Sequence, residues 1–275
     1  MRAEGKLLSG VIMTLLVGCA THQSPTGRDQ MLMFSADQMR ELGAQSFEKI
    51  KQQETRSTDA RVNAYVQCVA DALTAPGVLA QVDPGQVERW EVVVFESKQV
   101  NAFALPGGHI GVYTGLLDVA QTPDQLAAVM GHEIGHVLAD HGNEQVSRGQ
   151  LTNAGLQIAQ VALGASGTEN SDLIMAGLGL GAQVGIMLPF GRQQESESDV
   201  IGLSLMAYAG FDPSAAVTLW QNMAKASGGA PPEFLSTHPS SQTRISQLSS
   251  LQSDAVPIYQ KALAQGRKPT CKAPD

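Results

Sequence analysis

Apolar residues recur at helical spacing in the first half of the chain. The spacing predicts one helix over residues 36–54 and a second over residues 59–75. A third helical pattern begins at Thr122, a good N-cap followed by proline, and runs to Ala139.

The sequence between the second and third helices favours short strands. Residues 90–95 and 101–105 are extended and apolar, a Pro-Gly-Gly turn follows, and residues 109–113 continue in the same manner. We therefore predict a predominantly helical α+β domain with a small sheet beside the third helix. Residues 101–113 are either a plain structural hairpin or an exposed edge that binds an extended peptide by main-chain hydrogen bonds.

Residues 173–190 contain no charged side chain, which raises the question of a membrane helix. Four glycines lower the hydrophobicity of this stretch, Gln183 lies in its middle and Pro189 ends it. We predict a buried helix, or one that covers a cleft, rather than a membrane span.

The third helix contains the pattern H-E-x-x-H. His132 and His136 are four residues apart and lie on one face, so both imidazoles can bind one Zn²⁺ ion. Glu133 is placed to act as a general base on a water molecule. Because the motif also occurs by chance in amphipathic helices with two ordinary histidines, a zinc site needs a third ligand from elsewhere in the chain.

A later helix begins with a group of acidic residues. Glu195 and Asp199 share a face, so Glu195 is a candidate third ligand and Asp199 a candidate acceptor for a ligand histidine's N–H. The alternative is a solvated helix start, which we expect for Glu197 because it points away from that face. His141 follows His136 by five residues, about 500° of helical rotation, so we expect it at a helix end or on the surface.

The first residues are typical of a secretory signal. Residues 1–18 have a short basic start and an apolar run, and Cys19 follows in a pattern similar to a bacterial lipobox, where the thiol is acylated. A plain signal peptide cleaved near a cysteine is the alternative. Ala20 is not acidic, which favours the outer membrane. We expect a signal peptide (1–18), a lipidated Cys19 with a tether (19–35) and one metallopeptidase domain (36–275).

Charge and cysteine content limit the possible partners. The chain has 18 basic and 26 acidic residues, and removing residues 1–18 leaves 16 and 25. No basic stripe remains, so we expect no nucleic-acid partner. With Cys19 acylated, Cys68 and Cys271 are an even pair in an oxidising compartment, which favours a disulfide. The alternative is a buried thiol at Cys68 and a free one at Cys271.

Several ordered motifs together resemble a known family. The sequence is similar to the gluzincins that include the CAAX prenyl endopeptidases and the HtpX-like zinc metallopeptidases, and most to their soluble bacterial lipoprotein branch. The similarity covers about residues 30 to 250. The matching segments are Asn101–Gly108, Met130–His136, Glu195–Asp199 with Gly202, Ala209–Pro213, and Ser236–Pro239 with Arg244.

The resemblance implies a complete site with one Zn²⁺ per chain. It implies that zinc binds His132, His136 and Glu195, that Glu133 is the base, and that Asp199 supports a ligand. The substrate-binding edge would consist of Asn101, Ala102, Phe103 and Ala104.

His238 and Arg244 match a pair that lies near the metal in this family, with Arg244 on the substrate side. His238 would donate to the oxyanion, or would be a fourth ligand that keeps the enzyme latent. In a third reading it caps the helix that contains Arg244.

We therefore expect a zinc endopeptidase that hydrolyses extended or misfolded cell-envelope proteins in periplasmic quality control. Its partners would be protein or peptide substrates, the outer membrane through the lipid anchor, and possible outer-membrane assembly machinery. The rival hypothesis is a chaperone-like assembly factor that uses the same cleft without cleavage. Nothing in the sequence supports prenylated substrates.

Overall fold

The structure is a computed structural model. It describes residues 21–82, 87, 89–162, 190–226, 233–238 and 242–274. The expected signal peptide, Cys19 and the uncharged stretch up to residue 189 lie outside the described residues. None of the helices in the described parts of the chain combines the length and the apolar composition that a membrane span requires.

Two strands precede the first three helices, and three further strands precede the remaining helices. The strands are β1 (Thr21–Gln23), β2 (Asp29–Met31), β3 (Glu91–Phe95), β4 (Ala102–Leu105) and β5 (His109–Tyr113). A 3-10 helix (Thr114–Asp118) follows β5. The α-helices are α1 (Ala36–Gln53), α2 (Ala60–Leu73), α3 (Pro76–Leu79), α4 (Pro123–Leu138), α5 (His141–Ala162), α6 (Arg192–Ala209), α7 (Ala215–Ala226), α8 (Glu233–Thr237) and α9 (Gln242–Ala264).

The predicted sheet has three strands in the order β3-β5-β4. β3 pairs parallel to β5, and β4 pairs antiparallel to it with Ala102 opposite Val112. Within the described residues, β5 is the one strand neighbour of β4, so β4 forms an edge of the sheet. The predicted fold class, a mostly helical α+β domain with a small sheet, is confirmed.

Helix α4 runs through the centre of the core. Its side chains Leu126, Met130, Ile134 and Leu138 are almost completely buried. Thr122 caps the helix as predicted, because its hydroxyl accepts a hydrogen bond from the Gln125 N–H at 3.2 Å. A polar motif on so apolar a helix is therefore held in a rigid, water-poor environment.

The opposite face of the sheet packs on α1 through aromatic side chains. The Phe47 and Tyr113 rings each contact those of Phe95 and Phe103, which stack on each other, with ring centroids between 5.7 and 6.4 Å apart. Gly111 of β5 lies directly under the Phe103 ring, which leaves no room there for a side chain. This cluster fixes β4 between α1 and α4.

Residues 21–31, within the segment that we expected to be a tether, form a hairpin packed on the domain. β1 and β2 pair antiparallel, and the loop between them contains Arg28. The Arg28 guanidinium contacts Glu144 of α5 at 2.8 Å and Glu197 of α6 at 2.6 Å. Both carboxylates are buried, and a buried charge without a partner is costly. The pairing of Arg28 with them therefore explains why the hairpin packs at this position.

The end of the described chain returns to the second helix. Cys271 forms a disulfide with Cys68 of α2, with the two Cα atoms 5.6 Å apart. The bond joins positions 203 residues apart in sequence and encloses the helices and the sheet between them.

Candidate metal centre

Small residues allow α4 and α6 to approach closely. Gly131 and Gly135 of α4 face Gly202 and Ser198 of α6. A Cβ atom on Gly202 would lie 2.9 Å from the Gly131 carbonyl carbon and 2.9 Å from the backbone nitrogen of His132. This contact brings the H-E-x-x-H turn next to the acidic start of α6.

We expect Gly202→Ala to destabilise the fold by about 1–3 kcal/mol, because the added methyl group overpacks the contact between the two helices. The control is Gly77→Ala in α3, where an added Cβ meets no atom within 4 Å. Urea unfolding of both variants measures the effect. Equal free energies of unfolding for the two variants would contradict this account of the helix contact.

Four donor side chains converge where α4, α6 and the end of α8 meet. One ligand atom from each of His132, His136, Glu195 and His238 lies within 4.8 Å of all the others, and all four residues are buried. His136 Nε2 is 3.1 Å from His132 Nε2, and the Glu195 carboxylate is 3.5 Å from both of these nitrogens. The three predicted ligands therefore lie together.

His238 follows α8 and completes this cluster. Its Nδ1 atom lies 2.9 Å from the Glu195 carboxylate and 3.2 Å from His132 Nε2. Its Nε2 atom is 3.3 Å from Glu133 Oε1. The ring of Phe234 stacks against that of His238, with centroids 4.6 Å apart. His238 therefore faces both the ligand cluster and the predicted base.

The donor set suits zinc. Three imidazoles and one carboxylate are borderline-soft nitrogen and oxygen donors in a number that matches tetrahedral coordination. Burial lowers the pKa of His136 well below its usual value, so the ring is neutral. Although burial opposes it, hydrogen bonds from the histidines hold the pKa of Glu195 below its usual range. A neutral His136 and an ionised Glu195 are in the forms that bind the ion, and the cofactor is zinc.

Glu133 is buried beside the donors without joining them. Burial raises the pKa of its carboxyl to about 7, and the backbone N–H of Ala104 in β4 donates to it. Among the described residues, Oε1 has no hydrogen-bond partner, although His238 Nε2 lies 3.3 Å from it. This oxygen is available to a water molecule or a substrate.

A buried arginine supports the ligands from behind. The Arg244 guanidinium donates to both Asp199 oxygens at 2.7 Å, hydrogen-bonds Glu195, and lies 3.8 Å over the Trp220 ring. Asp199 in turn lies 3.0 Å from His132 Nδ1, the position expected for an acceptor of this ring's N–H. Arg244 is thus placed behind the carboxylates, and its contact with substrate stays a prediction.

The predicted substrate edge lies beside Glu133, but its side chains are mostly in the core. Asn101, Ala102 and Phe103 are buried, and the Asn101 side chain accepts a hydrogen bond from the Ala102 N–H. Ala104 is partly exposed and contacts Glu133 through its backbone. Any binding along β4 therefore uses the main chain, and the role of this edge stays a prediction.

Two polar residues that we expected on the surface are buried. His141 does lie at a helix end, the other alternative given for it, because it is the first residue of α5. His141 is fully buried, with its Nδ1 atom 2.8 Å from His136 Nδ1, because α4 ends at Leu138 and Asp140 adopts a left-handed conformation (φ 51°). The rotation expected of a continuous helix therefore does not apply. Glu197 is also buried rather than solvated, because the hairpin covers its side of α6.

Phe190 is a further residue that the sequence did not single out. Its ring stacks on His136 with centroids 3.9 Å apart, so it covers one side of the donor cluster. A single aromatic residue at the end of a glycine-rich stretch carries no signal of this role.

The H-E-x-x-H helix, the glutamate from a second helix and the buried base define a zinc metalloendopeptidase. The sequence model of Peptidase family M48 matches residues 57–252, so the chain belongs to this family.

Curated relatives agree with this membership. The chain is similar to the mitochondrial metalloendopeptidase OMA1 of Schizosaccharomyces pombe, with 40% identity over 162 residues, which cover 58% of this chain and 46% of the relative. It is also similar to the metalloprotease LoiP of Escherichia coli, with 27% identity over 254 residues, or 90% and 96% of the two chains.

A third relative is the beta-barrel assembly-enhancing protease of Escherichia coli O157:H7, with 30% identity over 158 residues, or 55% and 32% of the two chains. The chain spans between 34% and 57% of three OMA1 relatives, so it corresponds to part of those longer proteins.

Proposed function

We propose that the protein is a zinc endopeptidase that cuts extended or misfolded proteins of the bacterial cell envelope. The observation that carries the proposal is the buried Glu133 carboxylate, whose Oε1 atom has no hydrogen-bond partner in the described residues and lies beside four convergent donors. A site that only binds zinc for structural reasons does not need such a carboxylate.

The residues of the chain divide the chemistry among them. His132, His136 and Glu195 would hold the zinc ion, which supplies Lewis-acid chemistry that lowers the pKa of water and polarises a carbonyl group. Glu133 accepts the proton of the attacking water and transfers it to the departing amide nitrogen. Asp199 and Arg244 keep the ligands oriented, and the edge of β4 aligns an extended substrate by main-chain hydrogen bonds.

The experiment measures zinc content together with hydrolysis of casein, a flexible substrate. We expect about one zinc per chain, loss of cleavage after treatment with 1,10-phenanthroline, and recovery when zinc is added back. Magnesium added to the chelated protein is the control, and it should not restore cleavage. A protein that contains no zinc, or that cuts casein equally well without it, would overturn the proposal.

We place the protein in the periplasm, anchored to the outer membrane through an acylated Cys19. The lipobox-like pattern before Cys19 supports this location, and so does the similarity to LoiP along nearly the whole of that relative. The relative named as a beta-barrel assembly-enhancing protease supports outer-membrane proteins as substrates or partners. Metabolic labelling with a palmitate analogue, lost in Cys19→Ala, tests the anchor.

The position of His238 supports a latent state of the enzyme. Its Nδ1 atom joins the other three donors, and a fourth protein ligand would occupy the position that catalytic zinc sites leave open. This closed set is also the observation that favours the second candidate function, a factor that holds chains without cutting them.

We therefore expect His238→Ala to retain zinc and to cut casein faster than wild type. The rate should rise about tenfold for each ~1.4 kcal/mol by which His238, as the fourth ligand, stabilises the latent state. Steady-state kinetics of both proteins measure kcat/KM. Slower cleavage in the variant would instead support an oxyanion donor. Zinc binding without cleavage in either protein would favour the holding function.

A further inference from the structure

A line of hydrogen bonds leads from α6 to one of the zinc ligands. His141 Nδ1 lies 2.8 Å from His136 Nδ1, and His141 Nε2 lies 3.1 Å from Glu197 Oε2. His141 is fully buried and Glu197 nearly so. Neither side chain belongs to the donor cluster, and the hydrolytic chemistry proposed above uses neither of them.

The zinc ligand His136 decides which nitrogen of each histidine in this line carries the proton. His136 presents Nε2 to the cluster, so its proton lies on Nδ1 and requires an acceptor. The atom opposite is His141 Nδ1, which must therefore be unprotonated. The proton of a neutral His141 then lies on Nε2, where the Glu197 carboxylate accepts it. With this arrangement every N–H in the line meets an acceptor.

The far end of the line is held by the hairpin β1–β2. Glu197 accepts hydrogen bonds from the Ser24 and Thr26 hydroxyls and from Arg28 Nε. The carboxylate is therefore kept in one orientation by three donors that lie within five residues of each other. His132, by contrast, is supported directly by a carboxylate, that of Asp199.

We propose that His141 is a positioning residue for His136, and that Glu197 and the hairpin keep His141 in the required tautomer. The proposal rests on the zinc site proposed above. It gives the N-terminal hairpin a function, because its loop is joined to a zinc ligand through two side chains. Groups that orient a ligand histidine typically change metal affinity by about 10–100-fold when removed.

The test compares three replacements of His141 in the full chain by zinc competition with a chelating dye. Asparagine places an amide oxygen near the position of Nδ1, whereas glutamine places one near Nε2 and phenylalanine retains only the ring shape. We expect His141→Phe and His141→Gln to weaken zinc binding by roughly 10–100-fold. His141→Asn should retain most of the wild-type affinity.

Matched controls come from a second histidine–glutamate pair away from the metal. His109 Nδ1 lies 3.2 Å from Glu91 Oε2. We expect His109→Asn and Glu91→Gln to leave zinc affinity unchanged, while Glu197→Gln weakens it. Glu197→Gln keeps the size of the side chain, so it tests the line even where a replacement of His141 fails to fold.

The outcomes separate positioning from packing. If His141 served only to fill space, His141→Phe would bind zinc like wild type and His141→Asn would be the weaker variant, which would overturn the proposal. Equal zinc affinity in Glu197→Gln and wild type would overturn the role of Glu197. Zinc affinities that differ as expected would support the line, whereas a wild-type protein without zinc would overturn the proposed metal site itself.

Discussion

Glu133→Gln is expected to lower the rate of casein cleavage by roughly 10²–10⁴-fold while leaving zinc content unchanged. The carboxylate is buried next to the donors, and its Oε1 atom has no hydrogen-bond partner among the described residues. An amide cannot accept the proton of the attacking water. It can still accept the hydrogen bond from the Ala104 N–H, so the fold and the ligand helix should be preserved.

The control for this prediction is Glu91→Gln, which removes a carboxylate from the partly exposed start of β3. Its cleavage rate should match that of wild type. Zinc content is measured on the same preparations by atomic absorption, and cleavage is followed with a fluorogenic casein. If Glu133→Gln retained a rate within a few-fold of wild type, another group would be the base. If Glu133→Gln lost its zinc, that variant would say nothing about the base, and Glu133→Asp would provide the test. A Glu133→Asp variant that retained zinc and cut casein at the wild-type rate would contradict the assignment of Glu133 as the base.

Removal of the disulfide between Cys68 and Cys271 is expected to have the largest effect on stability. The bond closes a loop across 203 residues. In the chain-entropy model, a loop of this length contributes roughly 5 kcal/mol by restricting the unfolded chain, and removing native disulfides typically costs about 2–5 kcal/mol. We expect the Cys68→Ala, Cys271→Ala double variant to lose stability within that range.

Urea unfolding with and without dithiothreitol provides the measurement and its control. The reductant should lower the unfolding midpoint of the wild-type protein toward that of the double variant, and it should not affect the double variant. A double variant with wild-type stability would show that the α2 contact holds the C-terminal segment without the bond. Neither cysteine belongs to the donor cluster, so zinc content should not change.

Part of the site could be predicted because helical periodicity is a local property. His132 and His136 share a face of α4, and Glu195 and Asp199 share a face of α6, whatever the rest of the fold does. The start of α4 was equally predictable, since a cap and a proline act on their own helix end. These residues were singled out without knowledge of any long-range contact.

The errors occurred where a local rule was applied beyond its element. The rotation from which we expected His141 to point away from the ligand face assumes a helix that continues past Leu138, but the left-handed Asp140 turns the chain and directs His141 back to His136. Glu197 was expected in solvent because it points away from Glu195. That side of α6 is buried by Arg28, which lies 169 residues earlier in the chain.

The sequence by itself predicted the histidine and carboxylate donors, Glu133 as the candidate base, the zinc class and the helical α+β character, because these depend on side-chain chemistry and on the spacing within single elements. The tertiary structure alone decided that His238 joins the donors, that Arg244 lies behind them, and that a hairpin supports the line to His136. These features depend on which elements pack together, and a packing partner far away in sequence leaves no periodic signal in the segment that it covers.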